Sequence, residues 1–577
     1  MSKAETIHLL TPEGETLAGM PWQVYPRPQL RRDSFICLNG AWELSVNGGA
    51  WETVLVPFPP ESLLSGIHRD MGPDPTLIYR RRFPRPDTPA DHRVILHFGA
   101  VDQEATVVLN GETVGTHIGG YEAFSFDVTE ALAEDNTLEV KVTDRLDAHI
   151  LPYGKQRRDR GGMWYTPVTG IWQTVWMECV PKTHVRALRM DTRPDGVTLT
   201  AEGVADGEVT VATPEGEMSF PLAGGLAEVT LPSPRLWSPE DPYLYEFTLT
   251  AGEDTVRSYF ALRTLDVRTV GGIPRLCLNG RPYFFHALLD QGYFSDGIYT
   301  PASPEGYTRD IREMKALGFN TLRKHIKVEP EQFYYDCDRL GMIVMQDMVN
   351  NGHYSFLRDT ALPTVGIKRL SDKRLHRDRA TRAAFFAGME ATVRQLFNHP
   401  CICYWTIFNE GWGQFDSAAA YEALRALDTS RFIDTASGWF KGAPSDVFSE
   451  HVYFKPVRLT YGERPMVLSE FGGYSYKPEG HVFNPVKTYG YRFFERQDAF
   501  EDALVSLYER EIIPAVRRGL CSAVYTQVSD VEDETNGLLS YDRRILKVSP
   551  ARMMPIATAL YGEMEERESE ESKGETS

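Results

Sequence analysis

No Cys-x-x-Cys pair occurs anywhere in the 577-residue chain, and its seven cysteines (Cys37, Cys179, Cys277, Cys337, Cys401, Cys403 and Cys521) are scattered. An odd, scattered set argues against a disulfide framework or a zinc ribbon, and buried small hydrophobes in a reducing compartment are the simpler reading. No run of 18 apolar residues is present, so no membrane-crossing helix is expected. The opening stretch "MSKAETIHLLTPEGETLAG" has no basic segment followed by an apolar one, so it does not read as a secretory signal and the expected compartment is the cytoplasm. Basic residues are in deficit: 61 Lys and Arg face 80 Asp and Glu, a net charge of −19. That balance argues against nucleic acid or an anionic membrane as the main partner. Part of the charge lies in "EMEERESEESKGETS", which reads as a disordered, solvated tail over 563–577.

What the chain does contain changes character twice. Residues 1–181 are rich in short β runs such as "RVILHFGAV", "ATVVLNGETVG", "AFSFDVT" and "TLEVKVTD", which alternate apolar and polar positions. Helical periodicity is absent here, and the Asn-Gly of "LNGETV" is a hairpin signal, so an antiparallel β-sandwich is expected. Residues 182–268 continue with "GVTLTAEGV", "GEVTVATPEG", "LAEVTLPS" and "YLYEFTLTAG", at the spacing of an immunoglobulin-like sandwich. From 269 to 562 apolar runs alternate with amphipathic helical stretches. The runs are "YFFHALL", "FNTLRKH", "MIVMQDM", "ICYWTIFNE", "FIDTASG", "VFSEHVY", "MVLSEFG" and "SAVYTQVSD". Eight such strands in one domain are the arithmetic of a (β/α)8 TIM barrel, and near-continuous apolar runs suit strands buried on both faces.

In such a barrel the active site lies at the C-terminal ends of the strands. Those ends are polar here: Asp290, Arg323, His325, Asp347, Asn409, Glu410, Ser437, His451, Tyr453 and Glu470. Glu410 ends the fourth strand and Glu470 the seventh, facing each other across the mouth. Two opposed carboxylates are the constellation that hydrolyses glycosides.

The motifs "PRPQLRRDSFICLNGAWEL", "HFGAVDQEATVVLNG", "GMWYTPVTGIWQTVWME", "RLWSPEDPYLYEFTL", "GFNTLRKH", "FNEGWG" and "VLSEFGG" occur in this order over nearly the whole chain. In them the sequence resembles glycoside hydrolase family 2, the family of β-galactosidases, β-glucuronidases and β-mannosidases. The resemblance implies a galactose-binding-like jelly roll, an immunoglobulin-like domain and a catalytic barrel. It also implies retaining double displacement at the terminal sugar of a small or oligomeric β-glycoside, with Glu410 as acid/base and Glu470 as nucleophile. A retaining pair sits about 5 Å apart, and the acid needs a raised pKa while the nucleophile needs a low one. Arg323 and Tyr453 would keep Glu470 ionised, and Asn409 resembles the asparagine that bonds the sugar 2-hydroxyl. Asp290, His325 and His451 are further binding candidates, although both histidines read equally well as satisfied structural residues. Trp412 and Trp439 are sugar-stacking candidates or core, and Trp164 and Tyr165 lie in a loop that would reach the barrel mouth.

Departures from the family pattern bear on the sugar. The large β-galactosidases place histidine where this chain has Gly473. Their magnesium site has a Glu and a His where this chain has Asn351 and His353, so no metal and no cofactor is expected. β-Glucuronidases carry an Asn-x-Lys motif where "EDETNG" supplies Glu532, Asp533, Glu534 and Asn536 without a lysine. On strand eight Tyr525 and Gln527 replace the family's Trp-x-aromatic. An acidic loop would repel a uronate, so a neutral sugar, galactose first, is expected. Arg543 with Arg544, or Lys155 with Arg157 and Arg158, are the sources of a compensating cation for β-glucuronidase activity. β-Mannosidase, α-L-arabinopyranosidase, transglycosidase and non-catalytic carbohydrate-binding readings are the alternatives. A homo-oligomer is compatible with the sequence.

Overall fold

A computed structural model describes residues 6–362, 372–438 and 443–574, with side chains to Met564. The first domain is a β-sandwich. One face is a four-stranded sheet of Ile36–Cys37, Val175–Pro181, His92–Phe98 and Phe124–Asp127. The other is a six-stranded antiparallel sheet ordered Glu52–Val56, Gly40–Val46, Thr76–Pro84, Asp135–Thr143, Glu104–Leu109 and Glu112–Ile118. Alternate residues of these strands point inward, so Leu44, Leu77, Tyr79, Val107, Val140 and Val142 build the core between the sheets. Asn110 and Gly111 both take positive φ, +52° and +88°, in the hairpin that the Asn-Gly pair predicts.

The second domain pairs a three-stranded sheet (Ala187–Arg193, Gly196–Glu202, Leu226–Thr230) with a four-stranded one (Gly216–Leu222, Gly207–Thr213, Tyr245–Ala251, Asp254–Phe260). It is anchored to the third domain. Trp237 Nε1 donates to Asp338 O at 2.7 Å, and Arg263 donates to the carbonyls of Pro400 and Ile402 at 2.6 Å each.

Eight parallel strands form the barrel: β1 Phe285–Asp290, β2 Thr321–Lys324, β3 Ile343–Asp347, β4 Ile402–Asn409, β5 Phe432–Ser437, β6 Phe448–Val452, β7 Met466–Gly472 and β8 Leu520–Thr526. Hydrogen-bonded ladders run β5–β4–β3–β2–β1–β8–β7–β6. Side chains bridge the remaining seam. Ser449 Oγ on β6 donates to Asp434 Oδ1 on β5 at 3.0 Å, and Ser437 Oγ on β5 lies 2.8 Å from His451 Nε2 on β6. Helices Glu305–Ala316, Glu331–Leu340, Arg379–Leu396, Ser417–Leu427 and Gln497–Leu507 lie between strands.

Two features differ from the sequence expectation. Among the described residues no helix separates β5 from β6 or β6 from β7, so the barrel is not eight complete βα units. The chain also continues as helix over Pro550–Gly574, through the stretch expected to be a disordered tail. Glu, Met, Arg and Lys in that stretch are strong helix formers, and the growing helix needs no new nucleus there. Five of the seven cysteines are buried, while Cys37 and Cys179 are half-buried. No described helix is long and apolar enough to cross a membrane.

Candidate active site

Glu410 follows the last residue of β4 and turns out of the strand in the left-handed region, at φ +50°. For a residue with a side chain this conformation costs on the order of 1–3 kcal/mol and is held only where neighbours impose it. Here Glu410 N donates to Ser437 O at 2.9 Å and Trp412 N to Asn409 O at 2.8 Å. The turn presents the carboxylate at the mouth, its side chain 15% exposed against 6% for Glu470. The carboxylate oxygens of Glu410 and Glu470 and a ring nitrogen of His451 all lie within 4.8 Å of one another.

Arg323, buried at the end of β2, organises this pair. Its Nη1 donates to Glu470 Oε1 and to Ser469 O at 3.0 Å each, its Nη2 to Asn409 Oδ1 at 2.9 Å, and its Nε to Asp347 Oδ1 at 3.0 Å. The planar fork thus fixes the Glu470 carboxylate and the neighbouring Asn409 amide in a single geometry. Tyr453 Oη donates a short hydrogen bond to Glu470 Oε2 and lies 3.1 Å from Thr526 Oγ1. Burial opposes ionisation of Glu470. The effects of His451, Arg323 and His325 and the Tyr453 hydrogen bond outweigh it and hold the carboxyl at about 2.

His451 Nδ1 is 2.9 Å from Glu410 Oε1 and 3.6 Å from Glu470 Oε2, so the imidazole sits between the two carboxylates. His325 Nδ1 lies 2.8 Å from Asp347 Oδ2, one step behind Arg323. Burial, then the charge of Lys155, pushes His325 below its ordinary value.

Glu410, Glu470, Asn409, Arg323, His451 and Tyr453 are therefore assembled as one unit, with His325 joined through Asp347. Asp290 is not part of it. Its carboxylate accepts from Lys324 Nζ at 2.7 Å and from Gly292 N at 2.9 Å, in a buried network that continues from Lys324 to Glu329. Side-chain alternation explains this. Asp290 is in register with Lys324, whereas Arg323 is in register with Leu289, so Asp290 and Lys324 share the face opposite to Arg323. Trp412 is buried and stacks on Trp164 of the first domain at 5.1 Å between ring centroids, so it joins the two domains. Trp439 lies outside the described residues.

The first domain completes the mouth, as the position of Trp164 and Tyr165 suggested. Tyr165 Oη donates a short hydrogen bond to Glu534, Thr166 N donates to Glu532 Oε1 at 2.8 Å, and Arg160 lies 3.3 Å from Glu532. Asn484 Nδ2 donates to Asp533 at 2.9 Å and Asn536 Nδ2 to Glu534 at 3.0 Å. The three acids of "EDETNG" thus accept hydrogen bonds within the protein, and Glu532 is also paired with Arg160. Of the two proposed cation sources, Arg543 donates to the carbonyls of Tyr293 and Tyr541, and Arg544 pairs with Glu15 at 2.6 Å. Arg158 pairs with Asp70 at 3.3 Å.

At the position of the magnesium ligand, Asn351 Nδ2 donates to Ile150 O and Thr381 O at 2.7 Å each. Sequence spacing shows no ligand cluster, but folding brings Glu410, His451 and Glu470 close enough to form one. At Gly473 an added β-carbon would stand 2.3 Å from Tyr491 Cδ2, and the Tyr491 ring stacks on Tyr453 at 3.9 Å. Tyr491 thus fills the space into which a side chain at 473 would project. Tyr525 Oη accepts from Tyr474 N at 3.3 Å, and Gln527 Nε2 donates to Asn536 at 2.7 Å.

Asp347, Ser437, Thr526 and Tyr491 orient the site although they were not among its expected members. Asp347 and Ser437 are legible as polar strand ends. Nothing in the local sequence around Tyr491 indicates that its ring lies against Tyr453.

A sandwich, an immunoglobulin-like domain and a barrel with paired carboxylates at its mouth define the architecture of a glycoside hydrolase. Three family models match along the chain: "Glycosyl hydrolase 2 galactose-binding domain-like" over 72–168, "Glycosyl hydrolases family 2" over 182–263, and "Glycosyl hydrolases family 2, TIM barrel domain" over 300–536. The chain belongs to glycoside hydrolase family 2. It is similar to a β-galactosidase of Thermoanaerobacter pseudethanolicus, 25% identical over 424 residues, which are 68% of this chain and 53% of the relative. It is also similar to a β-glucuronidase of Bacteroides fragilis, 21% identical over 461 residues, 72% of this chain and 62% of the relative. The chain thus spans between half and two thirds of the length of these curated relatives. The solved structure of a β-D-glucuronidase from Dictyoglomus thermophilum superposes with a TM-score of 0.69 at 16% identity, over 93% of this chain and 98% of that one.

Proposed function

We propose that the protein is a retaining, exo-acting β-glycosidase that works by double displacement. The observation that carries this reading is the carboxylate separation, with oxygens of Glu410 and Glu470 within 4.8 Å. Retaining pairs stand roughly 5–5.5 Å apart, whereas inverting pairs need about 6.5–9.5 Å to admit a water. Glu470, ionised and oriented by Arg323 and Tyr453, attacks the anomeric carbon while Glu410 protonates the departing glycosidic oxygen. The covalent glycosyl ester is then cleaved by water, from which Glu410 takes a proton. Arg323 occupies Asn409 Oδ1, so the Asn409 Nδ2–H2 group remains to donate to a sugar hydroxyl, a contact that strengthens in the transition state.

The names of the relatives, β-galactosidase and β-glucuronidase, support a β-linked terminal sugar. The first-domain loop packed on Trp412 and the low exposure of Glu470 favour a closed pocket for one terminal residue. The galactose preference rested on the acidic stretch after β8; its acids accept hydrogen bonds from Tyr165, Thr166 and Asn484, and Arg160 pairs with Glu532, while the relatives' names divide between galactoside and glucuronide. NMR of the first-formed product tests the mechanism: a β-anomer is expected. A 2-deoxy-2-fluoro glycosyl donor should leave an ester on Glu470. An α-anomer as first product, or labelling elsewhere, would refute the retaining reading.

A further inference from the structure

Among the described residues one buried cation near the mouth has no counter-charge. Lys155, in the first-domain loop, is only 7% exposed. Among the described residues its ammonium forms no ion pair and no side-chain hydrogen bond. Its neighbours are ring faces: Nζ stands 5.5 Å from the centroid of Trp412 and 5.6 Å from that of Tyr165. Cation–π attraction offsets part of the desolvation of a buried ammonium, but leaves it without an anionic partner. Arg323 is taken by Glu470 and Asp347, Lys324 by Asp290 and Glu329, and Arg160 by Glu532; Arg157, over the Trp164 ring, is solvent-exposed where Lys155 is buried.

The loop is fixed against the end of β2. A β-carbon on Gly154 would meet Ile326 O at 2.9 Å, and Ile326 directly follows His325. After burial, Lys155 is the largest influence on His325, which places its charge within reach of the catalytic network. The indole Nε1–H of Trp412, on the ring beside Lys155, is a second buried donor without an acceptor among the described residues. An ammonium and an N–H donor that both lack an acceptor among the described residues, beside the loop against the end of β2, suit an oxyanion on a sugar bound there.

We propose that Lys155 is the anion-binding residue of the sugar site and that the substrate is a β-glycoside whose terminal sugar carries an anionic group, a carboxylate or a sulfate ester. The inference rests on the glycosidase reading above and deepens it to a substrate class.

The test compares the wild-type protein, Lys155→Met and Lys155→Arg on the nitrophenyl β-glycosides of galactose, galacturonate, glucuronate and 6-sulfogalactose. In the wild type, kcat/KM should be highest for an anionic sugar. A uronide in first place assigns a carboxylate, and the sulfo sugar assigns a sulfate ester. Lys155→Met should lower the ratio of that kcat/KM to the galactoside's by about 10–150-fold, the range of a charge-assisted hydrogen bond. Lys155→Arg should restore part of the ratio. A wild-type preference for the galactoside, or equal losses on all four substrates, overturns the inference. Cleavage of none of the four by the wild type counts against the glycosidase reading instead. Calorimetry with free galacturonate, glucuronate, 6-sulfogalactose and galactose then decides the role of Lys155. Binding of an anionic sugar that weakens in Lys155→Met supports it. No binding of any of the three anionic sugars by the wild type, or binding indifferent to the substitution, overturns it. The wild-type preference is read without any variant, so the inference stays open to refutation if Lys155→Met folds poorly.

Discussion

Arg323 on β2 reaches across the barrel interior to Glu470 on β7, donating from Nη1 to Oε1 at 3.0 Å. The two strands are not neighbours: β1 and β8 lie between them in the sheet. The guanidinium, 1% exposed, also holds Asp347 and Asn409, so one side chain ties the ends of β2, β3, β4 and β7 into one geometry.

Replacing Arg323 should therefore affect both stability and activity. Arg323→Met strands two buried carboxylates, at a cost of about 3–5 kcal/mol. Arg323→Lys restores charge without the fork and should recover stability more than kcat. Thermal melts beside kcat/KM measure the two effects, and a Met variant as stable as wild type would contradict the account.

Glu410→Ala should lower kcat on glycosides with poor leaving groups by about 10²–10⁴-fold. Nitrophenyl glycosides, whose leaving group needs no proton, should lose far less in the first step, and added azide should yield a β-glycosyl azide. Equal losses on both substrate types would assign the acid/base role to another residue.

The low value of Glu470 gives a pH prediction. Among the effects that lower it, that of His451 is the largest, ahead of Arg323. His451→Ala should thus raise the Glu470 pKa and move the acid limb of kcat/KM toward neutral pH. The sign for stability follows from a folded value of about 2 against an ordinary 4.5. Ionised Glu470 contributes stability above pH 4.5 that is lost as pH falls toward 2. Urea midpoints of wild type and Glu470→Gln should converge across that window. An unmoved acid limb in His451→Ala would exclude His451 from this role.

Tyr165→Phe removes the first domain's hydrogen bond to Glu534 and leaves a buried carboxylate oxygen unpaired, which costs about 1–3 kcal/mol. Because Tyr165 and Trp164 share a loop, KM should rise as the loop loosens. Unchanged melting and KM would show that the loop is held by Trp164 stacking alone.

Chelation should leave kcat/KM within about twofold, since Asn351 donates both amide hydrogens to backbone carbonyls. Added Zn²⁺ should instead inhibit competitively, because Glu410, His451 and Glu470 offer three ligand atoms within 4.8 Å. Activity lost to EDTA and restored by magnesium would refute this.

The sequence by itself determined the three-domain order, the eight barrel strands and the two carboxylates. Those features are local: a period of two in the sandwiches, continuous apolar runs in the barrel, and a polar residue where each run stops. It also marked Arg323, Asn409, His451 and Tyr453, which end strands. Tertiary structure alone decided which of these residues meet. Asp290 ends a strand as Glu410 does, yet its place in the alternation pairs it with Lys324 instead of the sugar site. The sequence shows an acidic stretch after β8, but only the fold shows that Tyr165, Thr166 and Arg160, more than 360 residues away in sequence, bond its acids. Lys155 was one basic residue among several in its stretch. Only the folded packing shows that Arg158 finds a carboxylate while Lys155, buried against Trp412, finds none among the described residues. Charge in a sequence is counted residue by residue, but its effect depends on which opposite charge the fold brings within a few ångströms, and that pairing is a property of contacts between distant segments.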